Sequence, residues 1–479
     1  MPSVVETQVG GQPTARPQIS ATRTILMSTV AALGGFLFGF DTAVINGAIA
    51  AVRDTFHASE WSLGLAVSAA LIGSAIGAFS SGHLADRLGR PRTMAVASAL
   101  FVVSSIGSGF ASSLWVLGLW RLVGGGAIGM ASVMAPAYIA EIAPAHLRGR
   151  LGSLQQMAIV VGIFAALMGD YALATQAGSA HSVFWLGYSA WRWMFWSALP
   201  AALLYGIGSL LIPESPRYLV AQGREEEALA VLRHIVGDTA PSKVVEIRRT
   251  LRAAHVPSLG DLRGHRFGLQ PVVWVGIILA MLQQFVGINV IFYYSSVLWQ
   301  AVGFSEQSSL AITVITSVTN IVTTVLAILC VDRFGRKPLL IAGSVGMALT
   351  LGLLAILFGT APLDVHGNPM LHGTSGLVAL LCANVYVFCF GFSWGPVVWV
   401  MLGEMFPNRM RAIALSVAAA AQWVANFVVS ATFPALQKVG LGWAYGLYTA
   451  AAVFSLLFAL KSIRETKGKE LEHMESENL

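Results

Sequence analysis

The sequence predicts an all-α membrane protein: twelve transmembrane helices in two pseudo-symmetric six-helix halves, with short helices between them. Three observations carry that prediction. Of 479 residues, 56% are apolar and only 11% charged, and the mean hydropathy is +0.71, whereas soluble domains carry roughly 25% charged residues. Apolar stretches able to cross about 30 Å of hydrocarbon cover 24–50, 61–83, 93–112, 114–139, 151–173 and 191–212. Six more cover 269–299, 308–331, 337–360, 374–402, 411–437 and 441–463. Finally, the charged clusters repeat. Asp86, Arg87, Gly89 and Arg90 recur in order and spacing as Asp332, Arg333, Gly335 and Arg336, and Glu141, Pro144 and Arg148 recur as Glu404, Pro407 and Arg411. Parallel internal repeats of this size are a common way of building carriers.

The basic residues orient the chain. With both termini inside, all but Arg53, Arg121, Arg192 and Lys438 of the 29 Lys and Arg fall on the cytoplasmic side, as the positive-inside rule requires. The net charge of +6 is therefore a matter of topology, and no nucleic-acid partner is expected. The expected division is a disordered cytoplasmic tail 1–23, a first half 24–212, a cytoplasmic linker 213–268, a second half 269–463 and a cytoplasmic tail 464–479. Within the linker, Arg224 to Val236 and Lys243 to Ala254 have amphipathic helical patterns. Cys330, Cys382 and Cys389 lie in or at the ends of apolar runs with no metal-type spacing. No nucleotide-binding sequence, nucleophile elbow or paired catalytic carboxylates appear. An enzyme is not expected, nor a cofactor or metal.

Ionisable groups at membrane depth are costly and usually functional. Asp41 stands alone in its helix, about 13 Å from the outer end at 1.5 Å per residue. Arg121 lies at similar depth in the fourth helix, about 10 Å in. An acid and a base so placed should pair. The acid can be ionised when paired and take up a proton when the pair opens, the minimum for proton coupling; a static pair that only fixes helix packing is the alternative.

Deep polar and aromatic groups gather mainly in the second half. Gln283, Gln284, Gly287 and Asn289 precede Tyr293 and Tyr294 in the seventh helix, and Gly287 predicts a break there. Asn320, Trp399, Gln422, Trp423 and Asn426 add to them, and Gln155 and Gln156 do so from the fifth helix. Amides both donate and accept, and Trp offers an apolar face to ring C–H groups. That mixture suits a neutral polyhydroxyl ligand, not a phosphate or carboxylate. For any single amide, interhelical hydrogen bonding is the competing explanation. At the cytoplasmic helix ends, Glu141 with Arg148, Glu404 with Arg411 and Glu214 with Arg217, together with Asp86, Arg87, Arg90, Asp332, Arg333 and Arg336, read as a latch for a two-state rocker.

These residues resemble the sugar porter family of the major facilitator superfamily from about 24 to 470. The likeness covers the two DRxGR loops, Arg121 with Gly124 to Gly126, Glu141 to Arg150, Pro213 to Arg217, Gln283 to Tyr294 and Glu404 to Arg411. Glu465 to Gly468 resembles the family's closing PETKG, with Arg464 in place of the Pro. The resemblance implies sugar contacts at Gln156, Gln283, Gln284, Asn289, Asn320, Trp399, Gln422, Trp423 and Asn426, bordered by Phe38 and Ile163. Ser393 to Trp399 with Gln422 and Trp423 looks like the bacterial proton-linked members. Animal facilitative glucose carriers have Glu where this chain has Gly391 and Asn where it has Asp41. The expectation is a carrier of the cell membrane, monomeric, that moves a neutral monosaccharide such as glucose or xylose with a proton by alternating access. The rivals are a facilitative uniporter, a polyol or inositol carrier, and a non-transporting sugar sensor.

Overall fold

The computed structural model describes residues 21–143, 148–253, 259–266, 268–363, 369–371, 373–407 and 410–465. Among them, twelve helices are long and apolar enough to cross a membrane, so the chain is a multi-pass membrane protein. Spans 1 to 6 are Thr22–Thr55, Glu60–Leu88, Arg90–Gly109, Leu114–Ile142, Leu154–Ala177 and Ala190–Leu211. Spans 7 to 12 are Pro271–Ala301, Glu306–Val331, Arg336–Thr360, Thr374–Met405, Ile413–Val439 and Leu441–Ser462. An even number of spans leaves the first and last on one face, here the terminal face; the opposite face is distal.

Spans 1, 2, 4 and 10 outrun the apolar stretches that predict them. Span 1 continues through Arg53 and Asp54 to Thr55, because a helix ends where its caps and turn require and not where hydrocarbon does. Asp41 is therefore deeper than expected, about 20 Å of helical rise from the distal end. Between the spans, helices cover Pro216–Ala221, Glu225–Val236 and Ala240–Ala253. They share a small apolar core of Leu219, Val220, Ala228, Leu232 and Val244, and Tyr218 donates its hydroxyl to the Arg87 carbonyl at 3.2 Å.

Four spans are interrupted, span 6 between Trp196 and Leu199 among them. Span 7 stops at Phe285 and restarts at Ile288. Gly287 takes φ 85° there, and a Cβ on it would sit 2.8 Å from the Tyr448 ring. Only glycine meets both conditions cheaply. The Val286 carbonyl freed by the break accepts from the Tyr386 hydroxyl at 2.7 Å, which removes the cost of an unpaired backbone group in the membrane. Span 10 breaks at Ser393 and span 1 at Val44; neither carries a glycine at the break.

The two halves meet where span 2 packs on span 11, span 5 on span 8, and the distal parts of spans 1 and 7 on each other. At the distal face Glu306, opening span 8, accepts from the Ala180 amide at 2.8 Å.

Candidate functional site

Asp41 and Arg121 meet between spans 1 and 4. Arg121 Nη1 donates to Asp41 Oδ2 at 2.7 Å and to the Asp41 carbonyl at 3.1 Å. The two residues are 8% and 3% exposed, so the pair is almost free of water screening and its charge-assisted bond is a strong one. Arg121 Nε is buried with no partner among the described residues. The guanidinium is thus held by one residue on one side only, and a change at Asp41 alone alters its state. A small cavity bordered by Phe38, Thr42, Arg121, Tyr293 and Trp423 runs from Arg121 to the last two, aromatic residues of the second half.

The amides form one network. Gln283 Nε2 donates to the carbonyls of Trp394 at 2.8 Å and Gly395 at 3.0 Å, both next to the break in span 10. Its Oε1 accepts from Gln284 Nε2 at 3.3 Å and from Gln422 Nε2. Asn289 in turn donates to Gln284 Oε1. The broken ends of spans 7 and 10 and the middle of span 11 are therefore tied through one side chain, Gln283. The Tyr293 hydroxyl lies within hydrogen-bonding reach of Asn426 in span 11 and Thr42 in span 1, one residue from Asp41. Phe38 and Trp423 face each other across the halves with ring centroids 6.0 Å apart.

The remaining residues implied by the resemblance are spread more widely. Gln156 is half-buried, whereas its neighbour Gln155 is buried against Gly35 with Oε1 unpartnered among the described residues. Ile163 packs at the crossing of spans 1 and 5 by Gly39. Asn320 is buried beside Gly391, where a Cβ would sit 3.3 Å from Asn320 Oδ1 and 2.3 Å from Thr323 Oγ1. Trp399 stands apart: it is 41% exposed, on the face of its helix opposite the buried Trp394, Val397, Val398 and Met401. No hydrogen bond links it to the amide network among the described residues.

The charge partners at the terminal face differ from those expected. Glu141 pairs with Arg90, a partner its own Glu-Pro-Arg cluster does not supply: Arg90 Nε and Nη2 reach the two carboxylate oxygens at 3.1 Å each. Glu404 pairs likewise with Arg336, at 3.1 and 2.8 Å. Glu214 does not reach for Arg217, which is exposed; its Oε1 accepts from the backbone amides of Arg90 and Ser215 at 2.9 and 2.8 Å. Arg411 turns its Nε to the Phe406 carbonyl at 3.1 Å. The reason is geometric. An Arg seven residues past a Glu and beyond a Pro lies around a turn, while the start of a neighbouring helix stands directly opposite. Asp86 lies 3.8 Å from Arg90, Arg87 is exposed, and Arg333 sits over the Phe334 ring. The side chains of Arg148 and Asp332 lie outside the described residues.

Two acids make contacts that the sequence does not assign them. Glu465 accepts from the backbone amides of Arg336 and Lys337 at 3.0 and 2.9 Å, so it does for span 9 what Glu214 does for span 3. Both sit just after the sixth helix of their half, and that spacing was the available signal. Asp170, at 1% exposure in span 5, accepts from the Gly47 amide at 3.1 Å. It lay in plain view as the one acid within the apolar stretch 151–173.

A family model described as "Sugar (and other) transporter" matches residues 27–477. The chain is 59% identical to the "Glucose transport protein" of Synechocystis sp., covering 94% of this chain and 96% of that one. It is 39% identical to the "D-xylose-proton symporter" of Escherichia coli, with 96% of each chain covered. Among solved structures, the partially occluded inward open conformation of the Escherichia coli xylose transporter XylE matches with TM-score 0.81 at 38% identity, covering 94% of this chain and all of that one.

Proposed function

We propose, from the premise that the chain belongs to the Sugar (and other) transporter family, that it carries a neutral monosaccharide across the cell membrane together with a proton. The observation that carries this reading is the continuity of two sites. Arg121 of the isolated Asp41–Arg121 pair borders one cavity with Thr42 and Tyr293, and the Tyr293 hydroxyl reaches the Asn426 amide of the second half. Sugar hydroxyls exchange readily with amide partners, and a hydroxyl entering this network displaces bonds the network makes to itself. Relatives named for glucose and for proton-linked xylose transport support both halves of the reading.

In the mechanism, a proton from outside neutralises Asp41 and loosens its hold on Arg121. Thr42 follows Asp41 in the chain and lies beside Tyr293, so the change reaches the ring that closes over the sugar. Sugar then ties Gln283, Gln284 and Asn289 of one half to Gln156 and Phe38 of the other. The halves rock, the sugar leaves inward, and Asp41 releases its proton to the higher internal pH. The terminal face with both chain ends is cytoplasmic in this reading, the distal face is outside, and the monomer is the working unit. The pairs Arg90 with Glu141 and Arg336 with Glu404 each form within one half here, so they fasten helices inside a half and do not themselves bridge the two.

The deciding experiment is uptake of labelled glucose and xylose into proteoliposomes, with and without an inward proton gradient. Accumulation above equilibrium, abolished by a protonophore, is expected. Equilibration indifferent to the gradient would leave a uniporter, and no uptake of either sugar would refute the substrate class.

A further inference from the structure

The distal part of span 1, Ile45–Thr55, is gripped from both sides. On one side Asp170 Oδ2 of span 5 accepts from the Gly47 amide at 3.1 Å, and a Cβ on Gly47 would sit 2.5 Å from the Asp170 side chain. On the other side Asn46, with no exposed surface, spends its whole amide on the opposite half. Its Nδ2 donates to the Phe292 carbonyl and to Ser295 Oγ at 3.0 Å each, and its Oδ1 accepts from the Ser296 amide at 3.1 Å. The Ser296 hydroxyl donates to the Asn46 carbonyl as well. A side-chain amide carries two donor hydrogens and one carbonyl, and every one is used across the interface between the halves.

Such a contact is costly to half-break, since a buried amide stripped of its partners in the membrane keeps its desolvation penalty. It is therefore closed or open, with little between. We propose that Asn46 is the clasp of the outer gate: a positioning residue that sets how readily the distal side opens, with Asp170 holding span 1 in register behind it. The proposal rests on the alternating-access reading above. Asn46 lies five residues from Asp41 on the same span, across the break at Val44, so loosening at the proton pair shifts the residue that locks the gate. Asp170 and Gly47 keep that distal part fixed to the first half, so opening separates Asn46 from Ser295 and Ser296 and does not peel span 1 away from span 5.

The test uses full-length protein in proteoliposomes, with Cys330, Cys382 and Cys389 changed to Ser and Val67→Cys as reporter. Val67 is buried and borders the cavity with Arg121 and Tyr293. A membrane-impermeant maleimide added outside reads how often the distal side opens. Asn46→Ala should raise the labelling rate at least tenfold, and Ser295→Ala with Ser296→Ala should raise it in the same direction from the other half. Combining all three should raise it beyond either alone, because the two changes share only the Asn46 Nδ2–Ser295 Oγ bond and each leaves cross-half bonds that the other removes. Asp170→Ala should give a smaller rise. Ser295→Ala/Ser296→Ala keeps the test standing where Asn46→Ala does not fold. Unchanged labelling in variants whose melting temperature has dropped would mean that Asn46 only packs, and overturn the proposal. Sugar uptake by the same vesicles separates the two failures. Parent vesicles without uptake count against the transport reading, and parent vesicles with uptake but unaltered labelling in the variants count against the clasp.

Discussion

Asp41→Asn isolates the coupling step. The substitution keeps an oxygen for Arg121 Nη1, now 2.7 Å from Oδ2, but leaves a permanent cation opposite a neutral group in a site 3% exposed at Arg121. Removing one member of a buried pair costs about 3–5 kcal/mol, and an amide that still accepts should recover part of that. The driving force is easier to bound. One proton moving down one pH unit supplies about 1.4 kcal/mol, a tenfold sugar gradient at one proton per sugar. Vesicles with the interior one unit more alkaline should therefore accumulate sugar up to about tenfold through the parent protein. Through Asp41→Asn the ratio should fall to equilibration, while exchange of labelled for unlabelled sugar across the membrane persists. Exchange is the necessary control, because it separates lost coupling from lost transport. Accumulation above equilibrium through Asp41→Asn, abolished by a protonophore, would refute the assignment of Asp41 as the proton carrier.

Three further outcomes follow from the geometry. Gln283→Ala removes the side chain joining spans 7, 10 and 11; losing one or two such bonds at about 1–1.5 kcal/mol each should weaken sugar binding by one order of magnitude or more, read by calorimetry, and unchanged affinity would remove it from the site. Gly391→Ala pushes a methyl to within 2.3 Å of Thr323 Oγ1 and should destabilise by about 1–3 kcal/mol, as overpacking does; thermal denaturation should show Thr323→Ala restoring much of that loss. Burial raises the Glu214 pKa above 4.5, offset in part by the amides of Ser215 and Arg90. A carboxyl with a raised native pKa binds protons more readily folded than unfolded, so its effect is to make stability climb as pH falls through the native pKa toward 4.5. Glu214→Gln should flatten that part of the melting-temperature profile, and an unaltered slope would place the titration elsewhere.

Much of this molecule is legible in its sequence because membrane helices announce themselves by apolar length, and a duplicated chain writes its charged turns twice. The break at Gly287 is readable for the same local reason: a glycine amid polar residues deep in a span has few other purposes. The breaks at Ser393 and Val44 carry no such mark. They are fixed by what the neighbouring spans offer, Gln283 to the carbonyls of Trp394 and Gly395, and Asp170 to the Gly47 amide. The ion-pair partners were misread because spacing along the chain cannot say which helix start faces a glutamate. Arg90 is 51 residues from Glu141 and meets it directly. Trp399 shows the reverse limit: a motif fixes which residue stands at a position but not how far its ring is covered.

Glu214 and Glu465 give the duplication a further meaning. In each half the chain runs through six helices and then returns an acid to the first free amides of the third, so the last residue out fastens a helix in the middle. Each half is thereby tied off by its own acid. A gene copied whole would have carried its fastening with it, and two such units need share only a membrane to find each other. Cut between them, the polypeptide should still assemble from two separately made pieces.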